Sequence, residues 1–173
     1  MHVITIKKDT LIKHISFALI IAAAVSAFFM ARIVRAEPFV TKVYFVDTQM
    51  MRLIPVKTSM PRTSIQKTAQ YVLDALIEGH DDNPKIRRLI PNEKGCMTVC
   101  VKNEIAYVDI KSSMKDAHPD GRELEILTVY SIVNSLAELD GIKNVRFTID
   151  GALERDFMGY IDMRETFTPD YFV

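Results

Sequence analysis

An α+β fold with two helices on one face of a mostly antiparallel sheet is what this 173-residue chain predicts. Three observations carry that reading. Short apolar runs come in pairs, each pair is followed by a segment of helical apolar spacing, and the strand–strand–helix order occurs twice before a closing strand.

The first pair is Val43–Asp47 (VYFVD) and Arg52–Thr58. Pro55 interrupts the second run, and because proline has no N–H to give a ladder, that strand belongs at an edge or in a bulge. Thr63 or Ser64 then caps a helix whose Ile65, Ala69, Val72, Leu73, Leu76 and Ile77 line one face, with Gly79 as its stop. After the polar loop His80–Pro84, Ile86–Ile90 reads as a short helical turn ahead of Pro91.

The second pair is Met97–Val101 and Ile105–Ile110, joined tightly at Asn103-Glu104. Asp120, with Glu123 as the return partner of a capping box, starts a second helix. Its apolar face is wider: Leu124, Ile126, Leu127, Val129, Ile132, Val133, Leu136 and Leu139, with Gly141 ending it. Val145–Asp150 closes the sheet, and Phe157–Arg164 is a candidate for one further extended piece. The halves also align in part: Ile54-Pro-Val-Lys-Thr-Ser-Met60 matches Val108-Asp-Ile-Lys-Ser-Ser-Met114.

Ahead of this body, Ile15–Ala31 runs without a charge. As a helix it spans about 25 Å, and extension to Val34 with Arg32 snorkelling approaches the ~30 Å of a bilayer core. Lys7, Lys8 and Lys13 precede it, which favours a cytoplasmic N-terminus. Val34-Arg35-Ala36 also reads as a signal-peptidase site, but the run exceeds a usual signal core and two arginines flank the cut. No cysteine follows for a lipid anchor. The expected organisation is a cytoplasmic segment 1–14, a transmembrane anchor 15–35, a linker 36–42 and an extracytoplasmic domain 43–173.

Of 22 Lys/Arg and 22 Asp/Glu, five and two lie within the first 37 residues, so the body carries a net charge of −3. That gives no electrostatic reason to bind nucleic acid. Cys96 and Cys100 lie in an alternating run, which predicts two buried thiols on one sheet face. Their Cα atoms would stand ~13 Å apart, beyond disulfide reach.

Asp47, Asp109 and Asp150 each end a predicted strand; converging, they could bind a divalent cation, but aspartate at a strand end ordinarily builds the turn. His2, His14, His80 and His118 are scattered, and the last two are expected in solvated loops. The enzyme alternative is a small phosphatase using the loop Thr48–Arg52, with Arg52 as cation but no glycine to shape an anion cradle. Arg87-Arg88 reads as a solvated face. No phosphate-binding, nucleophile-elbow or zinc motif occurs. The expectation is a non-enzyme with no catalytic, cofactor or metal residues. The Pro55 strand and the tail Phe167–Val173 are its candidate contact surfaces, the tail either folded back onto the body or exposed as a docking strip.

The succession VYFVD, LIPVK, AQYVLDALIEG, IAYVDIKSSM, ELEILTVYSIVNSLAEL and GIKNVRFTIDG resembles the GerMN domain of bacterial sporulation and germination proteins, from Val43 to Gly159. That resemblance implies a ring-building-domain-like fold and an extracytoplasmic interaction module in an envelope assembly, contacting envelope proteins or itself. It departs from the family's spore protein in having one domain rather than two in tandem, an apolar span rather than a lipidated cysteine, and Asn103-Glu104 without a turn glycine. The alternatives are a general envelope module or a small-ligand-binding domain unrelated to spores.

Overall fold

The computed structural model describes residues 8–33, 37–47, 49–80 and 84–173, with side chains of the first helix given for residues 14–26. It divides into two compact units, Met1–Ala36 and Glu37–Val173.

The first unit is helix α1, Lys8–Ile33. Among the described residues, no helix is long and apolar enough to cross a membrane. Ile15, Phe17, Leu19, Ile20, Ile21 and Val25 are all exposed, and the Ser26 hydroxyl donates back to the Ala23 carbonyl at 3.0 Å. The candidate cleavage site Val34–Ala36 lies outside the described residues.

The second unit carries β1 (Phe39–Asp47), β2 (Arg52–Met60), α2 (Ile65–Glu78), β3 (Ile86–Arg87), β4 (Met97–Lys102), β5 (Ile105–Ile110), α3 (Ser113–Ala117), α4 (Arg122–Ala137) and β6 (Asn144–Ile149). The class is α+β, with the strands divided between two three-stranded sheets, β2-β1-β3 and β4-β5-β6. Three of the four pairings are antiparallel; β5 and β6 run parallel. β1 opens at Phe39, four residues before the predicted start.

The sheets stay separate because helical side chains occupy the edges that would join them. β4 is an edge strand, and two glutamines of α2 serve it as a neighbouring strand would. Gln70 accepts from the Val99 N–H (3.2 Å) and donates to the Met97 carbonyl (3.1 Å). Gln66 accepts from the Val101 N–H (2.8 Å) and donates to the Val99 carbonyl. On β1, the Tyr44 N–H leaves the ladder to meet Ser135 Oγ of α4 at 2.8 Å. Each helix thus packs chiefly on a strand of the other half, α2 on β4 and α4 on β1.

α4 is covered even beyond the wide apolar face expected of it. Ten of its 16 residues are buried, among them Glu125, Thr128, Ser131, Asn134 and Ser135. A helix covered on most sides must bury polar positions, and these find hydrogen bonds. Around it one continuous core joins Val43, Leu73, Val108, Ile132 and Phe147, and a smaller cluster gathers Val46, Leu89 and Leu127.

Several local expectations change. Ile86–Arg87 is a two-residue strand, because the β1 edge at Val46 and Asp47 offers it a ladder. α2 starts after Ser64 as expected, although the Ser64 side chain makes no capping hydrogen bond, and ends at Gly79, whose φ of +76° suits glycine. A Cβ at Gly79 would also come within 2.8 Å of Arg88 Nε. α4 is preceded by Gly121 rather than capped by Asp120, whose carboxylate accepts from the Tyr160 hydroxyl (3.1 Å). Phe157–Arg164 forms turns with one isolated bridge, Asp156 to Asp162. The cysteines part company: β4 turns Met97 and Val99 inward and Cys100 outward, while Cys96 is buried in the bend before the strand. Its N–H donates to the Glu93 carbonyl there.

Candidate interaction surface

The three strand-end aspartates build turns. Asp47 Oδ1 accepts the N–H groups of Gln49 (3.0 Å) and Met50 (3.1 Å). Asp109 Oδ1 accepts the Thr148 hydroxyl (2.6 Å) and the Gly151 N–H (2.7 Å). Asp150, at φ +49°, accepts the Ser112 N–H at 3.3 Å; the bonds from Ser112 hold its carboxyl below the usual range. Asp109 and Asp150 share one end of β5 and β6, whereas Asp47 belongs to the other sheet. Among the described residues, no group of three or more His, Cys, Asp or Glu could hold a metal ion.

The loop considered for anion binding borders an open cavity of about 440 Å³ lined by Asp47, Gln49, Met50, Arg52, Ile54 and Lys85. Its two turn amides, at Gln49 and Met50, already serve the Asp47 carboxylate. An anion would have to displace that internal carboxylate to use them. Of the arginine pair, Arg87 is exposed, while Arg88 is partly buried and donates to the Glu78 carbonyl. A cation there suits the C-terminus of α2.

The histidines are not simply solvated. His80 stacks near the Phe45 ring at 6.0 Å. His118 is 6 % exposed, places Nε2 2.7 Å from Thr128 Oγ1 and meets Phe157 edge-on at 5.7 Å. Packing of the α3–α4 connection onto α4 puts it inside, and burial holds its pKa below the ordinary value. His2 lies outside the described residues, and His14 is exposed on α1.

The C-terminal tail folds back. Phe167 exchanges both backbone hydrogen bonds with Val145 of β6 and meets Phe147 edge-on at 5.4 Å. The Asp170 backbone then pairs with the Asn134 side chain on α4. Tyr171 sits 5.6 Å from Tyr44, and the Val173 carbonyl accepts the Leu53 N–H of β2 at 3.2 Å. Seven residues thereby tie β6, α4 and β2 together, leaving Phe172 fully exposed. Burial, then the Glu138 carboxylate 2.7 Å from its hydroxyl, pushes the Tyr44 phenol up.

β2 is the edge strand that Pro55 foretold. Pro55 faces Tyr44, whose N–H points away toward Ser135, so this is a pair without ladder hydrogen bonds. The missing proline donor therefore falls on the open side of β2, and the tail closes that side at Leu53. The residues that the sequence reading missed are the polar ones inside apolar helical patterns: Gln66 and Gln70 at i, i+4, and Glu125, Asn134 and Ser135. Their signal was the interruption of an apolar face by groups that need partners.

Two strand–strand–helix units, interlocked by their helices and closed by a parallel strand, define a GerMN-type domain. The first GerMN domain of the sporulation protein GerM from Bacillus subtilis superposes with a TM-score of 0.55 at 19% identity, covering 76% of this chain and 96% of that one. The tandem GerMN domains of the same protein give 0.54 at 20%, covering 73% and 44%. A provisionally assigned lipoprotein from Clostridium perfringens gives 0.54 at 17%, covering 76% and 88%. At such identities these likenesses establish the fold. No curated protein sequence matches the chain. The Germane family, described as sporulation and spore germination, matches residues 42–154, and the chain belongs to that family.

Proposed function

We propose that the chain is a membrane-anchored, extracytoplasmic interaction module that contributes to a sporulation or germination envelope assembly, through envelope proteins or its own copies, and performs no catalysis. The observation that carries this is the Germane match directly behind an uncharged helical run. The α1 backbone is helical across Ile15–Ala31, its described apolar side chains are exposed, and Ser26 satisfies its hydroxyl within the helix, as a lipid environment demands. The span itself rests on the sequence run: residues 1–14 are assigned to the cytoplasm, 15–35 to the membrane, and the body to the outside. The body's polar groups support a scaffold role: Asp47, Asp109, Glu125 and Asn134 are spent on the fold's own backbone.

The test is the position of a C-terminal fusion to a fluorophore that matures outside the cytoplasm, followed as cells enter sporulation. Enrichment at the engulfing septum is the expected result. An even envelope signal in growing cells would remove the spore role and leave a general envelope module.

A further inference from the structure

We infer that the β1 edge over Val40–Lys42 accepts a short extended segment of another protein by strand addition, with a long acidic side chain of that segment reaching over Lys42 to Lys57. The inference rests on the interaction-module reading and gives it a place.

The ladder fixes which way the backbone of β1 points. Tyr44 sends its N–H away from β2, to Ser135, and the antiparallel alternation sends the N–H and C=O of Lys42 and Val40 the same way. β3 covers that edge only at Val46 and Asp47, and Ser135 only at Tyr44. Among the described residues the amides of Val40 and Lys42 meet no partner. Beside them lies an open cavity of about 310 Å³ lined by Phe39–Lys42, Lys57, Glu138 and Asp140. Thr41, whose buried hydroxyl also meets no partner among the described residues, lines it.

Other strand edges are better guarded. Gln66 and Gln70 occupy that of β4, Phe167 pairs with β6 at Val145, and Pro55 with Val173 interrupts that of β2. Two residues of β1 with outward N–H and C=O present four hydrogen-bonding groups in register, over a stretch of about 10 Å. Only an extended main chain matches alternating donors and acceptors. Lipid phosphates could answer the lysines but have no donor for the carbonyls.

Charge narrows the occupant. Lys42 and Lys57 face each other directly across the β1–β2 ladder, an unfavourable like-charge pair. Glu138 answers Lys42 at 3.4 Å and is also held by the Tyr44 hydroxyl. Lys57 has no ion pair among the described residues and lines the same cavity, about 10 Å from an added strand with β1 between, so a long acidic side chain reaching over Lys42 answers it. Asp140, also in the lining, disfavours acid next to itself. Two copies of this chain meeting edge to edge would bring two lysine pairs together, which argues for a different partner. Val40 is 65 % exposed and supplies an apolar contact next to the edge.

The test selects a random seven-residue phage-displayed library on the full chain in detergent micelles, then measures the best synthetic peptide. Acid-bearing extended peptides are expected, with the amides of Val40 and Lys42 slowed in hydrogen exchange on binding. Val40→Pro removes one edge donor without touching the β1–β2 ladder, and should weaken the peptide at least tenfold. Lys57→Glu, an exposed change that leaves the fold intact, should do the same. Absence of any enriched peptide, or affinity untouched by both variants, overturns the proposal. So does a chain dimer abolished by Lys57→Glu, or a patch occupied by phosphatidylglycerol vesicles that no peptide displaces. Peptide binding without septal enrichment would keep this edge and remove the spore role; septal enrichment without peptide binding would do the reverse.

Discussion

The side-chain amide of Asn134 closes a two-bond ring with the backbone of Asp170: Nδ2 donates to the Asp170 carbonyl at 2.6 Å and Oδ1 accepts its N–H at 3.0 Å. Asn134 is wholly buried on α4, so the tail is held from the centre of the domain. Asn134→Ala removes both bonds and leaves a backbone pair to find water, a loss of about 2–3 kcal/mol. Chemical denaturation should read that loss. Limited proteolysis should show cleavage after Phe167 that the parent resists; equal protection would mean that the Val145, Tyr44 and Leu53 contacts hold the tail without Asn134.

The glutamine pair makes a second case. Gln70→Met keeps the length of the side chain but strips the Val99 N–H and Met97 carbonyl of their partner, costing about 1–3 kcal/mol. Adding Gln66→Met opens the β4 edge over Met97–Val101, an invitation to intermolecular pairing. Light scattering on heating should show the double variant aggregating earlier than either single one. Coincident onsets would mean that the edge is guarded by something else.

The features legible in the sequence are those written in periodicity and in special residues. Alternation located five of the six strands, Pro55 announced an edge, and Gly79 marked a helix end. Periodicity says which positions are buried, not against what. It could therefore not reveal that α2 packs on β4 and α4 on β1, nor that the strands form two sheets. The same limit misplaced Cys100, since alternation gives two faces and the true inward set is Met97, Val99 and Val101. Asp47, Asp109 and Asp150 were legible as turn residues because that chemistry is local. Asn134 and Ser135 stood inside a recognisable family stretch, but their partners lie 36 and 91 residues away.

The β4–β5 hairpin turns on Asn103 (φ +51°) and Glu104 (φ +61°), both left-handed. Asparagine tolerates that region; glutamate there carries about 1–2 kcal/mol of strain. In return its carbonyl accepts the Lys143 N–H and its carboxylate pairs with Lys143 Nζ at 2.8 Å. That ion pair is well exposed and worth less than about 1 kcal/mol. Glu104→Gly keeps the carbonyl and relieves the strain, so thermal unfolding should move up by the equivalent of about 0.5 kcal/mol. A lower midpoint would show the ion pair to matter more than the turn.

Calcium or magnesium should leave the unfolding midpoint unchanged, because the aspartates are committed to amides and a hydroxyl. The triple change D47N, D109N and D150N retains an acceptor oxygen at each turn and should lower stability equally with and without the ion. A cation-dependent rise in the parent that the triple variant lacks would establish a metal site.

His118 supplies the pH dependence. Burial lowers its folded pKa below the ordinary histidine value of about 6.5, so the unfolded chain binds the proton more readily. Stability is therefore fully present above about 6.5 and declines as pH falls from there through the folded pKa, below which the deficit is constant. One proton sets a ceiling of about 1.4 kcal/mol per pH unit on the slope. The cause is local: the ring is buried between Thr128 and Phe157, where an imidazolium loses its hydration, and this outweighs the Pro119 backbone, which favours the charged form. His118→Gln retains a polar contact to Thr128 without titrating. Denaturation at pH 7.5 and at pH 5 should show the parent losing more stability than H118Q, and an equal loss in both would place the acid sensitivity elsewhere in the body.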